Sequence, residues 1–225
     1  MAIIETYKGP NLELGLNIKK VIVFDMDGVL FDTPQMVNEF FMQTYPNLTK
    51  EIMDKILSGN FHEELEKFKK TNSPISETPE EHQARAAAYS AKKLQSPLYD
   101  GIFKLLEKLH SSRYTLVMNT SAIERNTLPL LEYSNTLKFF DFVATAETSK
   151  SKVEKFQIIS DKYHVPKPKM IFITDTLGDL READVAGVPT IAVTWGAHTC
   201  EHFISEPHAN LIKVVDSVKE LESLL

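Results

Sequence analysis

The sequence predicts an α/β fold: a parallel sheet flanked by helices, with a small all-helical segment inserted after the first strand. Three observations carry that prediction. Residues 21–24, Val-Ile-Val-Phe, are an apolar, partly β-branched run ending in Asp25-Met26-Asp27-Gly28, the pattern of a buried strand entering an acidic turn. From residue 114 onward, strand-like runs alternate with helical ones, which requires parallel strands joined by crossover helices. Between Thr33 and Pro97 the periodicity is helical, with no strand alternation.

The elements follow in order. Residues 1–19 scatter Glu5, Lys8, Pro10 and Glu13, a pattern unlike a signal peptide, and read as a surface arm or irregular strand. Thr33 is placed to cap a helix with Pro34 at its first position. That helix carries Met36, Val37, Phe40 and Phe41 on one face and should end near Pro46. Helical stretches follow at 50–57 and 62–70, and Asn72-Ser73-Pro74 is a break. Thr78-Pro79-Glu80-Glu81 is a capping-box pattern, opening a helix to about Gln95. Leu98-Tyr99-Asp100-Gly101 leads into a helix with Ile102, Leu105, Leu106 and Leu109 inward. Strands are then expected at 114–119, 141–145, 169–174, 189–194 and 210–215. Helices are expected at 123–133, 152–163, 178–186, 198–205 and 217–224, with Gly187 before Val188-Pro189 stopping one of them. The division is therefore a core of 1–33 and 98–225, with 1–19 as its arm, and a helical insertion of 34–97.

Composition narrows the class. With 225 residues, 43% of them hydrophobic, the chain can bury a real core. A net charge of −6 argues against general affinity for nucleic acid or anionic membranes. No apolar run reaches membrane-spanning length. Cys200 is the single cysteine, so no internal disulfide can form, and a reducing, cytoplasmic setting is expected. Oligomeric state is not encoded in any readable pattern.

The acidic turn carries the chemistry. An isolated Asp-x-Asp-Gly is ordinarily a solvated turn. Here a second apolar run, Met170-Ile171-Phe172-Ile173-Thr174, ends in Asp175, with Asp179 four residues later. Two strands of one parallel sheet bring all four carboxylates to its carboxyl edge, where open α/β sheets place their active sites. Carboxylates so gathered repel one another, and an oxygen-rich cluster suits a hard cation such as Mg2+.

These segments resemble the motifs of the haloacid dehalogenase superfamily, in the phosphoglycolate-phosphatase and β-phosphoglucomutase-like branch. Residues 25 to 33, Asp-Met-Asp-Gly-Val-Leu-Phe-Asp-Thr, match its first motif position by position. Tyr114 to Thr120 resembles the second, a strand ending in Thr or Ser. Ser149-Lys150-Ser151-Lys152 resembles the third, a lysine at a helix start, and Asp175 with Asp179 the fourth, with Thr174 where the family usually has glycine. The likeness continues through Glu182 to Val188 and Val193-Thr194-Trp195-Gly196, covering Lys20 to the C-terminus apart from 34–97.

The resemblance implies a Rossmann-like core with a helical cap, and a Mg2+-dependent phosphohydrolase acting on a small phosphate monoester. It implies Asp25 as the nucleophile that becomes an aspartyl phosphate, and Asp27 as general acid and base. Thr120 would bind a phosphoryl oxygen, although a shifted alignment puts Met118 there, and a helix cap is the plainer role. Lys152 would neutralise phosphoryl charge, with Lys150 as its competitor. Asp25, Asp175 and the Asp27 carbonyl would hold Mg2+, while Asp179 would act through water or orient Lys152. A phosphomutase of the same fold would use the same Asp25 and Asp27, while a non-enzymatic member that binds a partner would have no need of Asp25, Asp27, Asp175 and a lysine together. Arg85, Lys92 and Lys93 are available in the cap, facing unknown directions. His198 and His202, with Cys200 between them, read as a solvated helix rather than a zinc site. Phe40-Phe41 and Phe139-Phe140-Phe142 read as core, and Lys67-Lys69-Lys70 as a wet helix face.

Overall fold

The computed structural model describes residues 20–225; the arm expected over residues 1–19 lies outside them. The first strand, β1 (Val21–Phe24), is buried along its whole length because it has a parallel neighbour on both sides. Its neighbours are β2 (Thr115–Asn119) and β4 (Met170–Thr174), and Phe24 pairs with both Met118 and Ile173. With β3 (Phe142–Ala144), β5 (Thr190–Val193) and β6 (Leu211–Val215) the sheet is six-stranded, all parallel, in the order β3-β2-β1-β4-β5-β6. β1 is central, and the three strands whose ends carry the predicted motifs are adjacent and in register. Asp25, Thr120 and Asp175 therefore leave the sheet at one edge.

Alternate residues of the strands feed two cores, as the period-2 geometry of a strand demands. Ile22, Phe24 and Met118 pack on one face with Leu105, Leu106 and Leu109 of α5 (Ile102–Ser111), and Leu221 of the last helix joins them. Val21, Val23 and Phe172 pack on the other with Phe156 and Ile159 of α7 (Lys152–Tyr163) and Ala183 of α8 (Leu177–Ala186). The remaining crossover helices are α6 (Glu124–Tyr133) and α9 (Cys200–Phe203), and α10 (Val218–Leu224) follows the last strand. Gly187 ends α8 in the left-handed region, φ +73°, as its sequence context predicts.

Between β1 and β2 the chain forms α1 (Pro34–Thr44), α2 (Lys50–Leu57), α3 (Phe61–Lys69) and α4 (Pro79–Leu94). The first three of these helices and the turns between them enclose a cluster of their own, centred on Tyr45, Leu48, Met53, Ile56 and Leu65. The capping box of α4 forms: Thr78 Oγ1 accepts from the Glu81 amide at 3.2 Å, and Glu81 Oε2 accepts from the Thr78 amide at 2.8 Å.

Local expectations are corrected in two places. Thr33 makes no capping bond to α1; its hydroxyl turns back to the Phe31 carbonyl at 3.4 Å, so Pro34 alone sets the start of the helix. The helix expected over 198–205 shortens to Cys200–Phe203, because the His198 ring is drawn inward.

Candidate active site

The turn after β1 is shaped by close approach. Gly28 has φ +74°, and a Cβ there would lie 1.9 Å from Asp175 Oδ2. Gly196, after β5, is equally constrained, since its Cβ would lie 2.3 Å from the same oxygen. Glycine at both positions lets the backbone close around the Asp175 carboxylate. One of its oxygens, Oδ2, accepts from the Ala197 amide at 2.8 Å.

Asp25, Asp175 and Asp179 are all buried, and so is Lys152 at the start of α7. Lys152 Nζ lies 2.6 Å from Asp179 Oδ2 and 3.1 Å from Asp25 Oδ1. Thr174, where the resemblance expected glycine, donates to Asp179 Oδ2 at 2.8 Å. Asp179 thus has one oxygen filled by Lys152 and Thr174, the geometry of a group that holds the lysine. Lys150, the alternative lysine, is exposed.

Three buried carboxylates share one lysine, and the electrostatics follow. Burial raises Asp25 well above the usual carboxylate range; Lys152 opposes this, while Asp179 and Asp175 add to it. Burial also lifts Asp175 to about 7 against the Ala197 amide, with repulsion from Asp179 contributing. At Asp179 burial acts upward too, but the Lys152 charge and hydrogen bond outweigh it and hold the carboxyl low. For Lys152 burial acts downward and is overcome by Asp179 and Asp25, so the ammonium stays charged.

The site has surplus negative charge and buried carboxylate oxygens, Asp175 Oδ1 and Asp27 Oδ1, without a hydrogen-bond partner among the described residues. Such donors fit a hard divalent cation. The one trio of acid and imidazole side chains with ligand atoms within 4.8 Å of one another, among the described residues, lies elsewhere: Asp54, His198 and His202. Its chemistry does not suit a metal. His198 Nδ1 accepts from the Leu177 amide at 2.8 Å, and His202 Nδ1 accepts from the Thr199 amide at 3.2 Å. With Nδ1 accepting from an amide, each ring carries its proton on Nε2, and these nitrogens face Asp54 Oδ1 at 3.3 and 3.2 Å with no lone pair to give. The trio ties α2 to the core. His198 is 1% exposed and stacked on His202, which corrects its reading as part of a solvated helix.

Thr120, at the end of β2, is fully buried, and its hydroxyl accepts from the Ala122 amide at 3.1 Å, so it caps the turn ahead of α6. Its carbonyl accepts from Lys155 Nζ at 2.6 Å. Sequence reasoning missed Lys155, although Lys152, Lys155, Phe156 and Ile159 repeat at the helical spacing of one inward face. It also left Lys93 unassigned. Lys93 is 2% exposed and pairs with Asp27 Oδ2 at 2.8 Å, whereas Lys92 beside it pairs with Glu39 at the surface. Ala86, Tyr89 and Lys93 recur at i, i+3, i+7, a signal that would have found it. Arg85 turns instead to Glu77 and Thr44.

A cavity of about 360 Å³ lies between the helical insertion and the sheet edge, with Asp25, Asp27, Thr120, Asp175 and Asp179 among its lining residues. Phe40 and Phe41, expected in the core, are half-buried and line it as well. Glu182 on α8 joins insertion to core: it accepts from Asn60 Nδ2 at 2.9 Å and from the Lys152 amide at 2.8 Å.

Comparison with known proteins bears on the fold and the family. A model of the family described as haloacid dehalogenase-like hydrolase matches residues 22–193. The probable phosphatase IndB of Dickeya dadantii is 24% identical over 91% of this chain and 92% of its own. A phosphoglycolate phosphatase of Aliivibrio fischeri is 27% identical over 79% of this chain and 85% of its own. Among solved structures, a haloacid dehalogenase-like hydrolase from Streptococcus pneumoniae superposes with a TM-score of 0.70 at 20% identity, covering 93% of this chain and 99% of that one.

Proposed function

Because the chain belongs to the haloacid dehalogenase-like hydrolase family, we propose that it is a Mg2+-dependent phosphatase cleaving a small phosphate monoester through an aspartyl phosphate on Asp25. The observation that carries this reading is Asp25 itself. It is a buried carboxylate at a strand end, lining a cavity, with Lys152 Nζ at 3.1 Å and two further acids beside it.

Asp25, Asp175 and the Asp27 carbonyl would hold the cation, whose charge screens the phosphate from the carboxylate that attacks it. An Asp25 oxygen attacks phosphorus as the bond to the leaving oxygen breaks, and Asp27 delivers a proton to that oxygen. Asp27 then takes a proton from water, whose oxygen attacks the same phosphorus, freeing phosphate and restoring Asp25. Lys152 balances charge on the phosphoryl oxygens, and Asp179 with Thr174 fixes the lysine in place. The Thr120 turn lies at the start of α6, where amides favour an anion. The helical insertion acts as a cap: it covers the cavity, limits bulk water and brings Lys93 to Asp27.

The test is phosphate release from a panel of small monoesters, with Mg2+ and with chelator, in wild type and Asp25→Asn. Mg2+-dependent release that vanishes in the variant is expected. Full activity in Asp25→Asn would end the nucleophile assignment. Isomerised sugar phosphate in place of free phosphate would make the protein a mutase.

A further inference from the structure

The phosphoryl chemistry uses the floor of the cavity and leaves its roof unexplained. Val37, Phe40 and Phe41 of α1, Phe61 and Leu65 of α3, and Tyr89 of α4 line it from the cap side. The rings touch in series. Tyr89 and Phe40 have centroids 4.2 Å apart, Phe40 and Phe41 5.7 Å, Phe41 and Phe61 5.7 Å, and Phe61 and His62 5.5 Å. This row starts at Tyr89, one helical turn before Lys93, and ends at His62. The four large rings are only half-buried, and all four are among the residues that line the cavity.

Polar groups are few on that side. The cap contributes Asn38, His62, Lys69, Lys93 and the Tyr89 hydroxyl to the lining, and Lys93 is already paired with Asp27. His62 Nε2 is buried and has no partner among the described residues. Burial lowers the His62 pKa, with Lys155 and Lys150 adding to the effect, which disfavours the charged ring and suits it to offering a hydrogen bond.

A sugar or short polyol carries a hydroxyl on nearly every carbon, and each one buried without a partner weakens binding by about tenfold. A flat ring meets no such cost and gains edge-to-face or offset contacts with Phe40, Phe61 and Tyr89. We infer that the preferred substrate is a phosphate monoester whose leaving alcohol carries one aromatic or heteroaromatic ring, seated against Phe40, Phe61 and Tyr89 with its polar edge toward His62. This rests on the phosphatase reading above and specifies the leaving group.

The experiment compares kcat/KM for benzyl phosphate and 2-phenylethyl phosphate with glucose 6-phosphate, all alkyl esters, so that intrinsic reactivity does not decide the order. Wild type should prefer the ring-bearing esters by about tenfold or more. Phe61→Leu and Tyr89→Leu each keep an apolar side chain and remove the ring; each should lower that preference by about tenfold. Equal or reversed preference in wild type, or variants that slow every ester alike, would overturn the inference and leave the phosphatase assignment standing. No release from any ester would overturn both.

Discussion

Lys155 shows how one residue can be decided by what surrounds it. Its ammonium is fully buried against the Thr120 carbonyl, and burial followed by repulsion from Lys152 lowers its pKa to about 8. Unfolded, the same lysine titrates near 10.4. Between these values the unfolded chain binds the proton that the folded chain has lost, so stability rises with pH over that window. The contribution is fully present above pH ~10.4 and is lost as pH falls through about 8, up to ~3 kcal/mol in all. Denaturant unfolding of wild type and Lys155→Met at pH 7.5 and pH 10 checks this. The difference should move in favour of wild type by about 2–3 kcal/mol at the higher pH. A constant difference would mean that Lys155 is not a buried charge. At the same scale, the sequence showed Asp25, Asp27, Asp175 and Asp179 directly, because acids ending apolar runs stand out. Lys93 and Lys155 were hidden, because a lysine on an inward helix face carries the same letter as one in water.

The contact between α2–α3 and α8 ranks next in scale. Gly178 stands in the first turn of α8, where alanine has the better helix propensity by roughly 1 kcal/mol. Yet a Cβ at Gly178 would lie 2.0 Å from the Gly59 carbonyl oxygen and 2.7 Å from that of Leu57. Both obstacles are backbone, so no side chain can turn aside to relieve the clash. Gly178→Ala therefore sets a local gain against the docking of the whole cap. The expected result is a protein that melts within about 1 kcal/mol of wild type but loses tenfold or more in kcat/KM as the cap lifts. Limited proteolysis within 34–97 should quicken in step. Unchanged kcat/KM would show that α8 and the 57–59 turn need not touch for activity. The elements were almost all readable in advance, down to the capping box at Thr78 and the stop at Gly187. Thr33 failed as a cap because the Gly28 to Phe31 turn offers its hydroxyl a nearer partner.

For the whole molecule, surplus negative charge is the governing fact. A net charge of −6 is spread over the chain, but the three acids around Lys152 are packed into one buried edge of the sheet. A cation binding there relieves repulsion that the fold otherwise carries, and binding to the folded state alone raises stability by about 2.7 kcal/mol at a hundredfold excess over Kd. For a chain of this size that corresponds to a Tm increase of about 5–10 °C. Calorimetry with and without Mg2+ should show it in wild type, and Asp175→Asn should abolish it. An increase of the same size in Asp175→Asn would place the cation elsewhere. Among the described residues, no helix is long and apolar enough to cross a membrane.

The sequence by itself determined the sheet, its parallel strands, the helical segment after β1 and the acids at the sheet edge. Those features are written in local periodicity and in residue types that have few other uses. Only the tertiary structure decided which lysine meets Asp25, that Thr174 secures Asp179, and that His198 binds a backbone amide rather than water. It also decided that Phe40 and Phe41 line a cavity, while Phe41 packs against the insertion's own core as well. These depend on how far apart in sequence the partners lie: Lys93 meets Asp27 across 66 residues, and Lys152 meets Asp179 across 27. Periodicity fixes which face of an element turns inward, but what stands opposite that face is set only when the elements pack.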